Sequence, residues 1–511
     1  MIWGVTIAEL LRLMQAHLLL SACAVLAAAA IGLPIAIWAA HNRRASAPLL
    51  GAISLAQTIP GLALLALFYP LLLLIARATG WPIPALGFLP ALLALTVYAL
   101  LPIVRNGVAA IRGIDPALRE AADGLGMTGT QRLRLVELPL GAPVILAGIR
   151  TAAVWTIGTA TLATTIGQPS LGDLIFSGLQ TENWQRVLVG CVAAAVLALV
   201  ADGLLALIES GLARRSRPRW ITGLALLLAA SATAFVGPAG TQQRTIVVGA
   251  KNFSEQYILA GLIEDRLHRA GFKTERRDNL GSAIAYRAVA AGDIDVYVDY
   301  SGTLWANVLK RNDNPPSKEM LAALTSELAK RDGVTLQGSL GFENAYAFAM
   351  KRGRAEALGI RSLTDLASQA PQLKLASDLE FLSRPEWQAV DRAYGLRFRD
   401  ARSYSPTFMY RALSDGAADV ISAFSSDGRI SAQDLVTLSD PRHALPGYDA
   451  VLLLRPGADP KLAEALKPLV GKIGIDAMRQ ANWMVDRDKD KRTPGEAAKW
   501  LGTTVEGRGG G

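Results

Sequence analysis

The sequence predicts two architectures in series: an N-terminal all-α polytopic membrane domain of about six transmembrane helices, then a two-lobed α/β domain. Three observations carry this. The chain has 511 residues, too many for one ordinary core. It is 51% hydrophobic with a mean hydropathy of +0.29, and its apolar residues crowd into the first 236 positions. From Gln242 onward, short apolar runs alternate with amphipathic charged stretches, as in a soluble protein.

A bilayer core is crossed by roughly 20 apolar helical residues. Stretches of that kind lie at Leu18 to Ala40, Leu49 to Ala76, Phe88 to Val104, Pro143 to Ile166, Val187 to Ile208 and Trp220 to Val236. The first begins too far into the chain, and lacks the cleavage site, to be a removable signal peptide. Cys23 and Cys191 both fall inside these spans and are expected to pack as small hydrophobes. Asp202, in the fifth span, is costly to place in lipid and should face protein or water near the inner end.

The net charge of +9 invites a nucleic-acid reading, but the N-terminal arginines sit between apolar stretches, where membrane topology accounts for them. Arg43 and Arg44 follow the first span, Arg105, Arg112, Arg119, Arg132 and Arg134 the third, and Arg214, Arg215, Arg217 and Arg219 the fifth. The opposite loops carry Arg77 in one and a mixed Asp173, Glu182 and Arg186 in the other. Positive loops stay cytoplasmic, so the N-terminus is expected outside, and the sixth span delivers residue 240 onward outside as well. A domain held there meets external solutes and not cytoplasmic ATP.

In that second half, Thr245 to Gly249 reads as a buried strand and Ser254 starts a helix, with Ile258, Leu259, Leu262, Ile263 and Leu267 at helical spacing. Further strands are expected at Asp295 to Val298, Leu373 to Ala376, Asp419 to Phe424 and Ala450 to Leu454, alternating with helices. About 265 residues suit two lobes joined by a hinge with a ligand held between them.

Between spans three and four lies Glu120-Ala121-Ala122-Asp123-Gly124-Leu125-Gly126-Met127, closing with Glu137-Leu138-Pro139. This resembles the EAA loop of ABC importer permeases. The resemblance implies a short coupling helix, seated in a cleft of a separate ATPase subunit, with Glu120, Ala121, Ala122 and Gly124 at the contact. Gly124 is expected to make the turn, since glycine tolerates positive φ. Gln57-Thr58-Ile59-Pro60-Gly61, the run from Tyr98 to Asn106 and the run from Thr151 to Ala160 also resemble permeases for glycine betaine, choline and carnitine. Gln57, Thr58, Thr156, Thr159, Thr161, Thr164 and Thr165 are candidates for the pore lining, with helix packing as their ordinary alternative.

Lys251-Asn252-Phe253-Ser254-Glu255-Gln256, Asp299-Tyr300-Ser301-Gly302-Thr303, Gly341 to Tyr346, Glu380 to Pro385 and Ala423 to Arg429 resemble the binding proteins of quaternary-amine importers. The resemblance implies a type II periplasmic-binding-protein fold and a ligand bearing a permanent positive charge. Such a group offers no N–H and is best held on aromatic faces, for which Tyr300, Tyr346, Phe381, Tyr404 and Tyr410 are candidates. A ligand carboxylate would use Arg384, Arg411, Gln256, Asn344 and Thr303, while Asp427 either complements the cation or caps a turn with Gly428. Asn344 and Tyr346 would share one face of a strand. Glu343, Glu380 and Glu386 add negative charge, which would suit a histidine-derived betaine such as ergothioneine.

The domain plan is therefore 1–212 permease, 213–243 last membrane helix and linker, 244–504 receptor and 505–511 a disordered tail. Gly471-Lys472 lacks the upstream glycine and hydroxyl residue of a phosphate-binding loop, so ATP belongs to a partner chain and this one needs no cofactor. His17, His41, His268 and His443 are too scattered for a metal site or a catalytic triad. The expected partners are the ATPase, a second copy or paralogue of the permease, the bacterial inner membrane and a small quaternary-ammonium ligand.

Overall fold

A computed structural model of the protein describes residues 5–81, 83–181, 183–214, 216–235, 245–311, 313–378, 381–404, 406–487 and 489–507. Glu182 and Arg215 of the charge pattern, Glu380, the end of the sixth expected span and most of the linker lie outside these residues. The chain forms two compact units, Met1–Gln242 and Gln243–Gly511.

The first unit is all helical: α1 (Ile7–His41), α2 (Arg43–Thr58), α3 (Gly61–Thr79), α4 (Phe88–Arg112), α5 (Pro116–Gly124), α6 (Gly129–Arg132), α7 (Leu138–Thr159), α8 (Gly172–Gln180), α9 (Trp184–Ala213) and α10 (Arg217–Phe235). Among the described residues five helical runs are long and apolar enough to cross a bilayer, where the sequence counted six: α1, α3, α4, the run Gly129–Ile166 and α9. The expected sixth is α10, whose 19 residues open on Arg217, Pro218 and Arg219, a charged turn that lowers its apolarity. The expected span from Leu49 to Ala76 divides at Ile59 and Pro60 into α2 and α3. Proline lacks the N–H a helix needs and pushes its predecessor into extended geometry, as Ile59 shows at ψ 125°. Gln57 then donates to the Tyr98 carbonyl at 2.8 Å, and the Tyr98 hydroxyl donates back to the Ile59 carbonyl, so two motifs distant in sequence lock the break onto α4.

Small residues let α1, α4 and α7 approach closely. A Cβ on Gly107 would lie 2.6 Å from that of Ala36, and one on Gly148 would lie 2.8 Å from the Pro102 carbonyl oxygen. Asp202 does face protein: Arg150 of α7 grips its carboxylate in a fork, with one arm at 2.7 Å. His17 is fully buried, its Nε2 bonded to the Ile157 carbonyl at 2.9 Å and its Nδ1 accepting from the Leu171 amide. Of the threonines, Thr156 and Thr164 are buried, and Thr58, Thr159, Thr161 and Thr165 each turn the hydroxyl to a carbonyl three or four residues back.

The second unit has two five-stranded sheets among its described residues. Its strands are β1 (Ile246–Lys251), β2 (Thr274–Leu280), β3 (Val296–Tyr300), β4 (Thr335–Glu343), β5 (Tyr346–Lys351), β6 (Lys374–Asp378), β7 (Asp400–Tyr404), β8 (Val420–Phe424), β9 (Leu435–Thr437) and β10 (Asp449–Leu454). The orders are β2-β1-β3-β10-β4 and β7-β6-β8-β5-β9. Lobe one therefore takes strands from both ends of the sequence and lobe two is inserted, so the chain crosses twice, after β4 and after β9. In each sheet the first three strands run parallel, while β10 is antiparallel to β3 and β5 to β8.

Helix α11 (Ser254–Arg269) covers the first sheet, burying Ile258, Leu259, Leu262, Ile263 and Leu267 at the expected spacing. Asn344 and Ala345 are the crossing itself, so Asn344 does not share a strand face with Tyr346: the first reaches into lobe one, and the second opens β5 of lobe two. The last helix runs from Pro494 through Gly507, so residues 505–507 of the expected tail are helical.

Candidate functional site

Four of the five receptor motifs lie at the carboxyl ends of parallel strands, where open α/β sheets bind ligands, and the fifth, Gly341 to Tyr346, joins β4 to β5, each antiparallel within its own sheet. The segment 251–256 leaves β1, 299–303 ends β3, 381–385 follows β6 and 424–429 follows β8. Two clusters of side chains result.

The first is centred on Glu255, which is fully buried in the opening turn of α11. Its carboxylate accepts from the Tyr300 hydroxyl at 2.6 Å, Asn344 Nδ2 at 3.0 Å and Asn482 Nδ2 at 2.9 Å. Asn482 also donates to the Ser426 carbonyl at 2.8 Å, which ties lobe one to lobe two. Burial raises the Glu255 pKa against the pull of these bonds. Gln256 is spent internally: Nε2 donates to the Tyr300 hydroxyl at 3.1 Å and Oε1 accepts from the Lys251 amide. The Tyr300 ring stacks on Phe253 at 6.1 Å, with Lys251 Nζ 5.2 Å from its centroid. Thr303 sits half-buried in the turn after β3.

The second cluster is aromatic. Tyr346 lies 4.8 Å from Phe381 and 4.6 Å from Phe424, and the Arg384 guanidinium stands over its ring at 5.6 Å. Phe381 is wholly buried between Tyr346, Phe348 and Trp387, so it backs the Tyr346 ring. Arg384 is 3.3 Å from Glu386, which also accepts from the Tyr448 hydroxyl, and Glu386 stays ionised below the usual range despite burial because of these partners.

Beside these lies an ionic group. Asp427 caps the short helix Gly428–Ala432 by accepting from the Arg429 amide, and its carboxylate pairs with the Arg429 side chain at 2.8 Å. The Arg429 guanidinium covers the buried Tyr410 ring at 4.1 Å. The capping alternative for Asp427 is thus realised. Arg411 stands apart: it is exposed and lies over the exposed Phe408 at 6.0 Å. Tyr404 ends β7 and packs partly buried against the second sheet. Among the described residues no three His, Cys, Asp or Glu are grouped to hold a metal.

Sequence reasoning did not select Glu255, Asn482, Asp486 or Tyr448. Asn482 and Asp486 are spaced i, i+4 on the helix Ile475–Asp486, so one face of it meets both lobes. Asp486 accepts from the Ser254 hydroxyl at 2.6 Å. Burial, with the neighbouring Asp427 charge, pushes its pKa up to about 6 although Arg429 pulls the other way. A raised folded-state pKa favours the protonated form, so stability from this group is full below the ordinary carboxylate value and is lost as pH rises through about 6. Asp486→Asn is accordingly expected to stabilise the protein at pH 7.5 by about 2 to 3 kcal/mol and to have little effect at pH 4. Thermal unfolding of both forms at the two pH values checks this; equal midpoints at pH 7.5 would contradict it.

In the membrane unit, α5 presents Glu120, Ala121 and Gly124 to solvent and buries Ala122. Gly124 is its last helical residue; the left-handed turn glycine is Gly126, at φ 75°.

A helical membrane unit with a short exposed helix between its spans, joined in one chain to a two-lobed receptor, defines a subunit of a binding-protein-dependent ABC importer. The chain belongs to the family described as the substrate binding domain of ABC-type glycine betaine transport systems, which matches residues 244–502. Residues 32–214 match the inner membrane component of binding-protein-dependent transport systems. The ergothioneine transport permease/ergothioneine binding protein EgtU of Helicobacter pylori is 29% identical over 475 residues, covering 89% of this chain and 83% of that one. The choline transport system permease protein OpuBB of Bacillus subtilis is 40% identical over 201 residues, 39% of this chain and 87% of its own. A solved glycine betaine/carnitine/choline ABC transporter structure is 27% identical, covering 50% of this chain and 96% of that one, with a TM-score of 0.47. The chain is thus a fused permease and substrate-binding protein of the betaine, choline and carnitine type of importer.

Proposed function

We propose that this chain captures a small betaine outside the inner membrane and passes it through its own helices, driven by an ATPase on a separate chain and paired with a second permease subunit. The observation that carries the ligand class is the Tyr346 ring, backed by Phe381 and Phe424 and adjoining Arg384. The ring offers a face to a trimethylammonium group and the guanidinium a fork to a carboxylate, the two ends of a betaine. Tyr300, Gln256 and Thr303 come from the strand ends of lobe one, Asn344 from the crossing, and Tyr410 and Asp427 from lobe two.

Within that class, ergothioneine is supported by two features. The Helicobacter relative with the same two halves is named for it. Asn344 Oδ1 and Asn482 Oδ1 are buried acceptors with no hydrogen-bond donor, and an imidazole-derived ligand brings N–H groups that a plain trimethylammonium lacks.

Calorimetric titration of the purified chain with glycine betaine, choline, carnitine, proline betaine and ergothioneine tests the class. Binding of at least one is expected, and refusal of all five would sink the reading. The outward placement is tested by an impermeant thiol label on the exposed position 461 as Lys461→Cys; Lys251, being buried, would not report. Labelling only after lysis would reverse the orientation.

A further inference from the structure

We infer that Glu137 is the positioning residue that couples the motor-facing helix α5 to the membrane body. This rests on the proposed ATPase partnership.

The physical problem is that α5 has almost nothing apolar to hold it. Of its nine residues only Ala122 is buried, while Leu118 and, just past its end, Leu125 are exposed. Hydrophobic packing at about 25 cal/mol per Å² therefore fixes it weakly. Polar ties take over. A π-helical turn, Leu133–Glu137, is inserted between α6 and α7, and its last residue is Glu137. Such turns displace side chains from the regular helical face. The Glu137 side chain is 0% exposed.

Two guanidinium groups and an imidazole from three elements converge on it: His41 Nε2 at 3.1 Å, from the end of α1; Arg119 Nε at 3.4 Å, from α5; and Arg132 Nε at 3.4 Å, from the end of α6. Arg132 also holds Asp123 of α5 with contacts of 2.6 and 2.8 Å, and Arg119 donates to the Ile111 carbonyl at the end of α4. A carboxylate removed from water persists only with such partners, and removing its charge leaves the half-buried Arg119 without its carboxylate and Arg132 with Asp123 alone. Glu137 thus joins α1, α5, α6 and α7 at one point, and each tie to α5 runs through it or through an arginine that it holds. A rigid attachment of this kind is what lets a displacement of α5 by an ATPase move the helices instead of being absorbed locally.

The test uses the full chain reconstituted with its ATPase subunit in lipid nanodiscs, with whichever of the five solutes above stimulates the wild type. Glu137→Gln is expected to keep the wild-type Kd for that solute and the wild-type KM for ATP, and to lower stimulated ATP turnover by about tenfold. Glu137→Asp should recover part of the loss. Arg119→Gln, which leaves the carboxylate with Arg132 and His41, should give a smaller loss and keeps the test open if Glu137→Gln does not assemble. Stimulated turnover equal to wild type in Glu137→Gln, or in Arg119→Gln when only that variant assembles, overturns the inference. A fall in solute affinity alongside turnover also overturns it, since that marks general disruption. If no solute stimulates the wild-type complex, the importer reading itself fails, and the role of Glu137 falls with it.

Discussion

Tyr346→Leu in the full-length chain is expected to weaken binding of the preferred betaine by about tenfold while moving the unfolding temperature little. Tyr346 opens β5 directly after the Asn344–Ala345 crossing, so its ring stands where lobe two begins. Phe381 and Phe424 both pack tilted against it, at 4.8 and 4.6 Å. Arg384 lies 5.6 Å from the ring centroid, so under the proposed function a guanidinium for a carboxylate would adjoin a ring for a trimethylammonium group. Leucine keeps most of the apolar volume that packs against the two phenylalanines but has no negative π face for a trimethylammonium group. Alanine would confuse the result, because a buried aromatic truncated to alanine costs about 3 to 5 kcal/mol of stability on its own. Tyr346→Phe keeps the face and should bind nearly as wild type. Calorimetry on the three forms decides: unchanged affinity in Tyr346→Leu would remove this ring from the recognition of charge.

The sequence exposed the interior of each sheet and hid its margins. β1, β3, β6, β8 and β10 are buried runs such as Val296 to Tyr300, and apolar continuity alone located them. β2, β4, β7 and β9 are the outermost strands of the two sheets, with residues such as Thr274-Glu275-Arg276-Arg277, and an edge strand needs no continuous apolar face. β5 is central but reads Tyr346-Ala347-Phe348-Ala349-Met350, where alanine and methionine speak weakly for a strand.

The candidate site followed the same logic. Tyr300, Asn344, Tyr346 and Arg384 lie in motif loops and were legible there. Asn482 and Asp486 come from a helix more than 200 positions further along, and only the fold brings Asp486 to Ser254, |i−j| 232. Arg150 sits in an apolar run, yet a lone arginine in one span and a lone aspartate in another are a legible pair once each is asked what neutralises it.

Gly124→Trp is expected to abolish solute-stimulated ATP hydrolysis, by on the order of a hundredfold, with folding and solute binding intact. Glu120 and Gly124 are four positions apart on α5, and Ala121 is three from Gly124, so the three share the face opposite buried Ala122. A Cβ at Gly124 would meet nothing within 4 Å inside this chain, and the residue is exposed, so a side chain there starts out into open space. Outside the chain the case differs. Under the proposed ATPase partnership, small residues at 121 and 124 would leave the face shallow enough for a cleft to close over it, and an indole would hold the two surfaces apart. Gly126 supplies the contrast: its φ of 75° disfavours any side chain, so Gly126→Ala should cost about 1 kcal/mol of local stability. The two glycines thus separate docking from turning. Measured together in reconstituted complexes, Gly124→Trp should lose turnover at an unchanged unfolding temperature, while Gly126→Ala should lower that temperature. Wild-type stimulation in Gly124→Trp would mean that the exposed face of α5 is not where the motor seats.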